Sequence, residues 1–279
     1  MQIAKLALGV LAAAILQFDP VQADELVRFD SAGTRPNAFI ERKARERGVT
    51  LPKVPMTHLQ GYLSRPPGDG PFPAVVIMHG CGGIHPNTKN YWPQRLISWG
   101  YAVLVVDSFA TRGIEDSCQR YIPERVYDAY GALDYLSTLP FVEAGHVALL
   151  GFSAGGIAAL EATKTDGNEQ LMDRKFKAAV GYYPVCAPHT GDATVPTLIL
   201  NGDLDDWSPV ERCRQRISHL SGKGAPVELD VYRGAYHDFD SPDVATPKIK
   251  LGHREEYNAA AAEQSFIRVK SFLHQYLQN

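Results

Sequence analysis

Long apolar runs, clustered positive charge and paired metal-ligand motifs are all scarce in this chain. Beyond residue 16 no stretch is apolar enough to cross a bilayer, which takes about 20 consecutive apolar residues. No basic run occurs and the net charge is −3, so neither nucleic acid nor an anionic membrane surface is an expected partner. Cysteine occupies only four positions, with no C-x-x-C pair. The histidines show no paired spacing, so no metal is expected. No internal repeat is visible. What remains is 279 residues, 45% of them hydrophobic, enough to bury one large core. Residues 24–279 are read as a single α/β domain, a common size for such folds.

The one long apolar run comes first. Lys5 supplies a positive start, Leu6 to Leu16 is apolar, and Val21-Gln22-Ala23 ends in small residues. This pattern predicts a secretory leader over residues 1–23, with the mature chain starting near Asp24 in a secreted or periplasmic location. An uncleaved anchor is the alternative, but the run is short for a span. An even number of cysteines in an exported chain predicts two disulfides, and three pairings are open.

Residues 24–54 carry little signal. Leu26 to Phe29 reads as a first strand, and Phe39 to Arg47 as a charged, helix-like surface segment. Leu59 to Leu63 is a strand followed by the Pro/Gly cluster Pro66 to Pro71. From there strands and helices alternate. Strands are predicted at Ala74 to Met78, Tyr101 to Val106, Val147 to Leu150, Ala178 to Tyr182, Thr197 to Leu200 and Val227 to Tyr232. Helices are predicted at Tyr91 to Trp99, Glu124 to Leu139, Ala158 to Ala162, Pro209 to Leu220 and Ala259 to Leu277. Pro242 to Arg254 is read as loop. Such alternation implies a mostly parallel sheet with helices on both faces, and a ligand crevice beyond the carboxyl ends of the strands.

Five strand endings lie at that crevice. The first is Gly151-Phe152-Ser153-Ala154-Gly155, a G-x-S-x-G sequence between a buried strand and a helix. In that setting the serine sits on a sharp, strained turn with its hydroxyl exposed at a helix N-terminus. An ordinary glycine-rich turn with a capping serine gives the same five residues, so the context has to decide. The second is His79-Gly80-Cys81-Gly82-Gly83, whose glycines leave backbone N–H groups free to point inward. The N–H groups of Cys81 and Ala154 are the candidate oxyanion hole.

The third ending, Asn201 to Pro209, holds three aspartates. Asp205 is the candidate acid, Asp206 the reserve, and Asp203 is expected to bond turn backbone. In the last loop His237 is the candidate general base, completing the order Ser153, Asp205, His237. Trp207 and Tyr236 flank these residues, as pocket wall or as packing. No role is assigned to Ser108 or Arg112 in the Asp107 to Gly113 segment.

Together the His79-Gly-Cys-Gly-Gly, Gly151-Phe-Ser-Ala-Gly, Gly202-Asp-Leu-Asp-Asp-Trp-Ser-Pro and Ala235-Tyr-His-Asp-Phe motifs resemble the dienelactone hydrolase family of α/β-hydrolases, from about Leu59 to the C-terminus. The resemblance implies a hydrolase without metal or organic cofactor, with its triad on Ser153, Asp205 and His237. Dienelactone-cleaving members carry a cysteine nucleophile where this chain has serine. What carries over is hydrolysis of an ester-like bond, and the substrate is left open. In the sheet order implied by that fold, the strands before Cys81 and Cys118 are neighbours, as are those leading to Cys186 and Cys213. The implied disulfides are Cys81–Cys118 and Cys186–Cys213. The expected activity is cleavage of a small-molecule ester or lactone through an acyl-enzyme. An exported peptidase of the same fold and a catalytically silent binding protein are the rivals.

Overall fold

The computed structural model describes residues 24–33, 41, 42, 45, 46, 48, 50, 55–187 and 191–278. The predicted leader, residues 1–23, lies outside the described residues. So does much of the charged segment near residue 40, although positions 41, 42, 45 and 46 are helical.

Among the described residues the centre of the molecule is an eight-stranded sheet in the order β1-β2-β4-β3-β5-β6-β7-β8. Its strands are β1 (Glu25–Asp30), β2 (His58–Ser64), β3 (Phe72–Met78), β4 (Ala102–Asp107), β5 (Val142–Phe152), β6 (Ala178–Tyr182), β7 (Thr197–Gly202) and β8 (Val227–Tyr232). β1 pairs antiparallel with β2 and β2 with β4. From β4 to β8 every pairing is parallel. This is the mostly parallel sheet that the alternation of elements predicts, in the α/β-hydrolase fold that the resemblance implies.

Why both faces are covered follows from the side chains. In the central strands even the outward half of each alternating pair is apolar, so neither face tolerates water. Val75, Ile77, Val103, Val105, Leu150 and Val180 point to one face, where they meet α1 (Trp92–Ser98) and α5 (Ala259–Leu277). Ala74, Val76, Met78, Leu104, Val106 and Leu149 point to the other, against α2 (Arg125–Leu136) and α3 (Ala154–Ala162). α4 (Val210–Ser218) closes a smaller cluster in which Cys213 packs near Cys186, Leu160 and Ile199.

Three expectations need correction. The helix predicted to run to Leu139 ends at Leu136. The N–H groups of Thr138 and Leu139 bond instead to the carbonyls of Tyr135 and Leu136, a tightening imposed by Pro140, which disfavours helical backbone in the residue before it. β5 begins at Val142, earlier than predicted, because Val142 pairs with Phe72 ahead of an irregularity in register. The 242–254 segment holds a hairpin, β9 (Lys248–Lys250) and β10 (His253–Glu255). Its turn places Leu251 and Gly252 at φ 51° and 89°, both positive as a two-residue primed hairpin turn requires.

α2 crosses the end of β1 in direct backbone contact. A Cβ built on Gly131 would lie 2.2 Å from the Asp30 carbonyl oxygen and 2.7 Å from Ser31 Cα. The neighbouring Ala32 N–H donates to the Tyr127 carbonyl at 2.8 Å. Alanine is favoured over glycine in a helix by about 1 kcal/mol, yet here it has no room. Gly131→Ala is therefore expected to lower stability by about 1–3 kcal/mol, read from the urea midpoint of the oxidised protein. An unchanged or higher midpoint would show that the two segments part freely.

Candidate active site

Ser153 sits between β5 and α3 at φ 50°, ψ −113°, a backbone conformation that costs a non-glycine residue of order 1–3 kcal/mol. The crowding around it explains both glycines of the motif. A Cβ on Gly151 would meet the Gly155 carbonyl oxygen at 2.0 Å, and one on Gly155 would meet that of Met78 at 2.1 Å. The Ser153 N–H donates to the Tyr182 carbonyl at 2.9 Å, tying the turn to the next strand. Ala154 is the first residue of α3, so its N–H belongs to those a helix leaves without an internal acceptor.

The structure brings Ser153, His237 and Asp205 into one line. His237 Nε2 stands 3.0 Å from Ser153 Oγ, and its Nδ1 stands 2.8 Å from Asp205 Oδ2. His237 and Asp205 are buried. Asp205 Oδ1 accepts the N–H groups of Trp207 and Ser208 at 3.0 and 2.9 Å, which fixes the carboxylate plane. Burial opposes ionisation of Asp205, but His237 and the Ser208 donors outweigh it and hold the carboxyl below its ordinary range. Burial likewise pulls His237 down, and the charge and hydrogen bond of Asp205, with Asp238 and Glu255 beyond, leave it above 6.5.

The other two aspartates part company. Asp206 lies 3.4 Å from His253 Nδ1 in a half-exposed pair. Asp203 accepts the Gly234 N–H at 2.6 Å, so it ties its loop to the loop that carries His237 rather than closing its own turn. Trp207 lines the cavity and its ring centroid lies 5.1 Å from those of His237 and His253. Tyr236 packs instead beneath the Arg254 guanidinium, at 4.5 Å.

Both disulfides join the pairs implied by the resemblance. Cys81 and Cys118 have Cα atoms 4.7 Å apart, and Cys186 and Cys213 4.9 Å apart. The first bond borders the cavity, which has a volume of about 240 Å³ and is lined by Gly80, Cys81, Ser153 and His237 among others. The hairpin β9–β10 forms its far wall through Lys248, Lys250 and Glu255. Among the described residues no group of three or more His, Cys, Asp or Glu is placed to hold a metal ion.

Several supporting residues escaped the sequence reading. Ser208 Oγ stands 2.9 Å from the Tyr183 carbonyl, 3.0 Å from Asp205 Oδ2 and 3.1 Å from His237 Nδ1. Asp240 is fully buried and accepts from Trp92 Nε1, Asn87 Nδ2 and the Tyr183 hydroxyl at 2.8, 2.9 and 2.7 Å. Behind the glycine loop, the buried Arg125 guanidinium donates to the His79 carbonyl. Ser108 N–H donates to His79 Nε2 at 3.3 Å, which leaves Nδ1 protonated and facing the Gly80 carbonyl at 2.7 Å. Burial and the charge of Arg125 hold His79 well below 6.5, so the ring is neutral. Arg112 does not reach the cavity; it forms a two-pronged pair with Asp128 at 2.7 and 2.8 Å. Most of these partners lie far apart in the chain, up to 153 residues, and no short motif marks them.

Known proteins resemble this chain in sequence or in fold. A Bradyrhizobium protein named "Probable 2-oxo-3-(5-oxofuran-2-ylidene)propanoate lactonase" is 25% identical over 239 residues, 77% of this chain and 89% of its own. A solved dienelactone hydrolase-like promiscuous phosphotriesterase from metagenomic libraries superposes with a TM-score of 0.66 at 19% identity, covering 91% of this chain and 99% of that one. A thermophilic esterase from the planctomycete Thermogutta terrifontis gives 0.60 at 18% identity, covering 78% and 88%. These two structural likenesses show the fold. The description of the dienelactone hydrolase family matches residues 59–277, from β2 to the end of α5, and the chain therefore belongs to that family.

Proposed function

We propose that this carboxylic ester hydrolase works through a serine nucleophile, cleaving an ester or lactone bond of a small molecule by way of an acyl-enzyme. The observation that carries the reading is the unbroken line from Ser153 Oγ through His237 to Asp205, opening on the cavity. A serine hydroxyl is a weak nucleophile until a neighbouring base takes its proton. His237 Nε2 is within reach to do so, and Asp205 holds the imidazole with Nδ1 protonated and stabilises the cation that forms. As Ser153 attacks, the carbonyl oxygen becomes negative between the N–H groups of Cys81 and Ala154. His237 then gives its proton to the leaving alcohol and activates water against the acyl-enzyme.

The cavity volume of about 240 Å³ is below the roughly 300–1,000 Å³ typical of drug-sized ligands, which favours a compact acyl group. The lactonase named among the relatives supports a cyclic ester as one form of substrate. Export is part of the same proposal. The leader-like residues 1–23 and two disulfides favour an oxidising compartment, and among the described residues no helix is long and apolar enough to cross a membrane.

Two measurements test the mechanism. Ser153→Ala is expected to remain folded and to lose at least about 10⁴-fold in kcat toward p-nitrophenyl acetate; a variant turning over at the wild-type rate would remove Ser153 from the mechanism. The second is a pH profile of kcat/KM, which follows the free enzyme. His237 must be neutral to accept a proton, so activity is lost as pH falls through its folded pKa, above 6.5. In Asp205→Asn the raising charge is gone and burial remains, so the acid limb moves to lower pH while kcat falls by about 10⁴-fold. An acid limb that stays in place would assign it to another group.

A further inference from the structure

The loop that carries the proposed Cys81 donor is Gly80-Cys81-Gly82-Gly83. Three glycines give it backbone freedom that a fixed oxyanion donor cannot have. Its internal closure is a single long contact, Gly83 N–H to the Gly80 carbonyl at 3.4 Å. A second hold comes from the segment after β4. Ser117 N–H donates to the Cys81 carbonyl at 2.8 Å, and the adjacent Cys118 is bonded to Cys81 Sγ. Two neighbouring residues thus grip Cys81 by its carbonyl and by its side chain. With both fixed about one Cα, the position of the Cys81 nitrogen is fixed, and the Gly80 carbonyl in the same peptide plane faces His79 Nδ1 at 2.7 Å, which sets the direction of the N–H.

The two disulfides are not equally reachable. Cys186 and Cys213 are 1% and 0% exposed. Cys81 and Cys118 are only partly buried, Cys81 faces the cavity, and Cys118 lies between the buried Ser117 and the exposed Gln119. Thiol–disulfide exchange requires a thiolate to reach a sulfur, and exposed bonds are the labile ones.

We propose that Cys118 is a positioning residue for the oxyanion hole, and that reduction of Cys81–Cys118 by a dithiol switches the hydrolase down. The proposal rests on the reading of Cys81 N–H as an oxyanion donor. In the switching step one thiolate of the dithiol attacks a sulfur of the pair, the Sγ–Sγ bond breaks, and the other cysteine leaves as thiolate and takes up a proton. The second thiol of the reagent then displaces the mixed disulfide. The products are two cysteine thiols and one cyclic disulfide, with two electrons passed to the protein. Exchange with an oxidised dithiol reverses it.

The test compares the oxidised wild type, the same protein after dithiothreitol, and Cys118→Ser. Each is read by kcat and KM for p-nitrophenyl acetate, alkylation mass and far-ultraviolet circular dichroism. Limited reduction is expected to alkylate Cys81 and Cys118 alone. It lowers kcat about tenfold or more, as a displaced donor does, and leaves KM within about twofold because ground-state binding is retained. Reoxidation restores kcat, while Cys118→Ser shows the loss without reductant and no further loss with it. Full kcat in the reduced wild type or in folded Cys118→Ser overturns the proposal. So does a loss confined to KM, a loss accompanied by collapse of the dichroism signal, or earlier alkylation of Cys186 and Cys213. If Cys118→Ser does not fold, the reduced wild type decides alone. An oxidised wild type that neither hydrolyses esters nor reacts with a fluorophosphonate overturns the serine reading and this proposal together; an active one leaves the two separable.

Discussion

Backbone crowding at the end of β5 is the constraint on which the site depends. Gly151, Gly155 and the end of β3 meet with no room for a single added carbon, and the strand-to-helix turn can close only by placing Ser153 at positive φ. That conformation is unfavourable by itself. It is sustained because the strands on either side are locked in parallel register, Met78 with Gly151 and Phe152 with Tyr182, with apolar side chains packed on both faces. The core therefore does more than stabilise the fold: it holds one serine where its hydroxyl faces a cavity and the first turn of a helix lies behind it.

The partners of Ser153 arrive on loops, and loops need their own anchors. Asp205 is held by the amides of its own turn. The His237 loop is tied from below by Asp240, a carboxylate whose burial raises its pKa while three side-chain donors oppose the rise. Because those donors come from Trp92, Asn87 and Tyr183, Asp240 links the segment after β3, the segment after β6 and the loop after β8. A buried carboxyl costs a great deal unless its oxygens are bonded, and here each bond also sets the distance between two loops. The His79–Arg125 contact does the same on the opposite side of the serine.

Much of this was legible in the sequence because the informative features are local. The G-x-S-x-G turn, the glycine loop and the acid and base loops each follow an apolar strand, and strand order then brings their ends to one edge. The residues that steady the site were not legible. Asp240, Ser208 and Arg125 act across separations of up to 153 residues, and nothing near each of them in the chain announces a buried partner. The hairpin at 248–255 was missed for a related reason. Its turn is Leu251-Gly252, without the asparagine or aspartate that usually marks positive φ at the first turn position. β9 alternates lysine with the exposed Ile249 and β10 is His253-Arg254-Glu255 with no apolar residue, so no apolar face shows in the pattern. The largest shift at a helix C-terminal end came where Pro140 intervened, and the early start of β5 came with a register irregularity.

That hairpin bears on selectivity more than the sheet does. Period-two alternation sends Lys248 and Lys250 to one side and Ile249, 71% exposed, to the other. Lys250 Nζ lies over Gly82, 2.9 Å from where a Cβ would stand, and Glu255 is buried beside His237. The hairpin is also fastened to both loops that complete the line of contacts. His253 stacks on Trp207 beside the acid, and Glu256 N–H donates to the His237 carbonyl at 3.1 Å. The cavity beside Ser153 is therefore bordered by charged side chains on an element that also borders His237. Sheet and elbow specify an attack on a carbonyl; they are silent about what is attached to it. The β9–β10 hairpin is one wall of the cavity, and because it is fastened to His237 and Trp207, a change in that wall also bears on the line from Ser153 to Asp205.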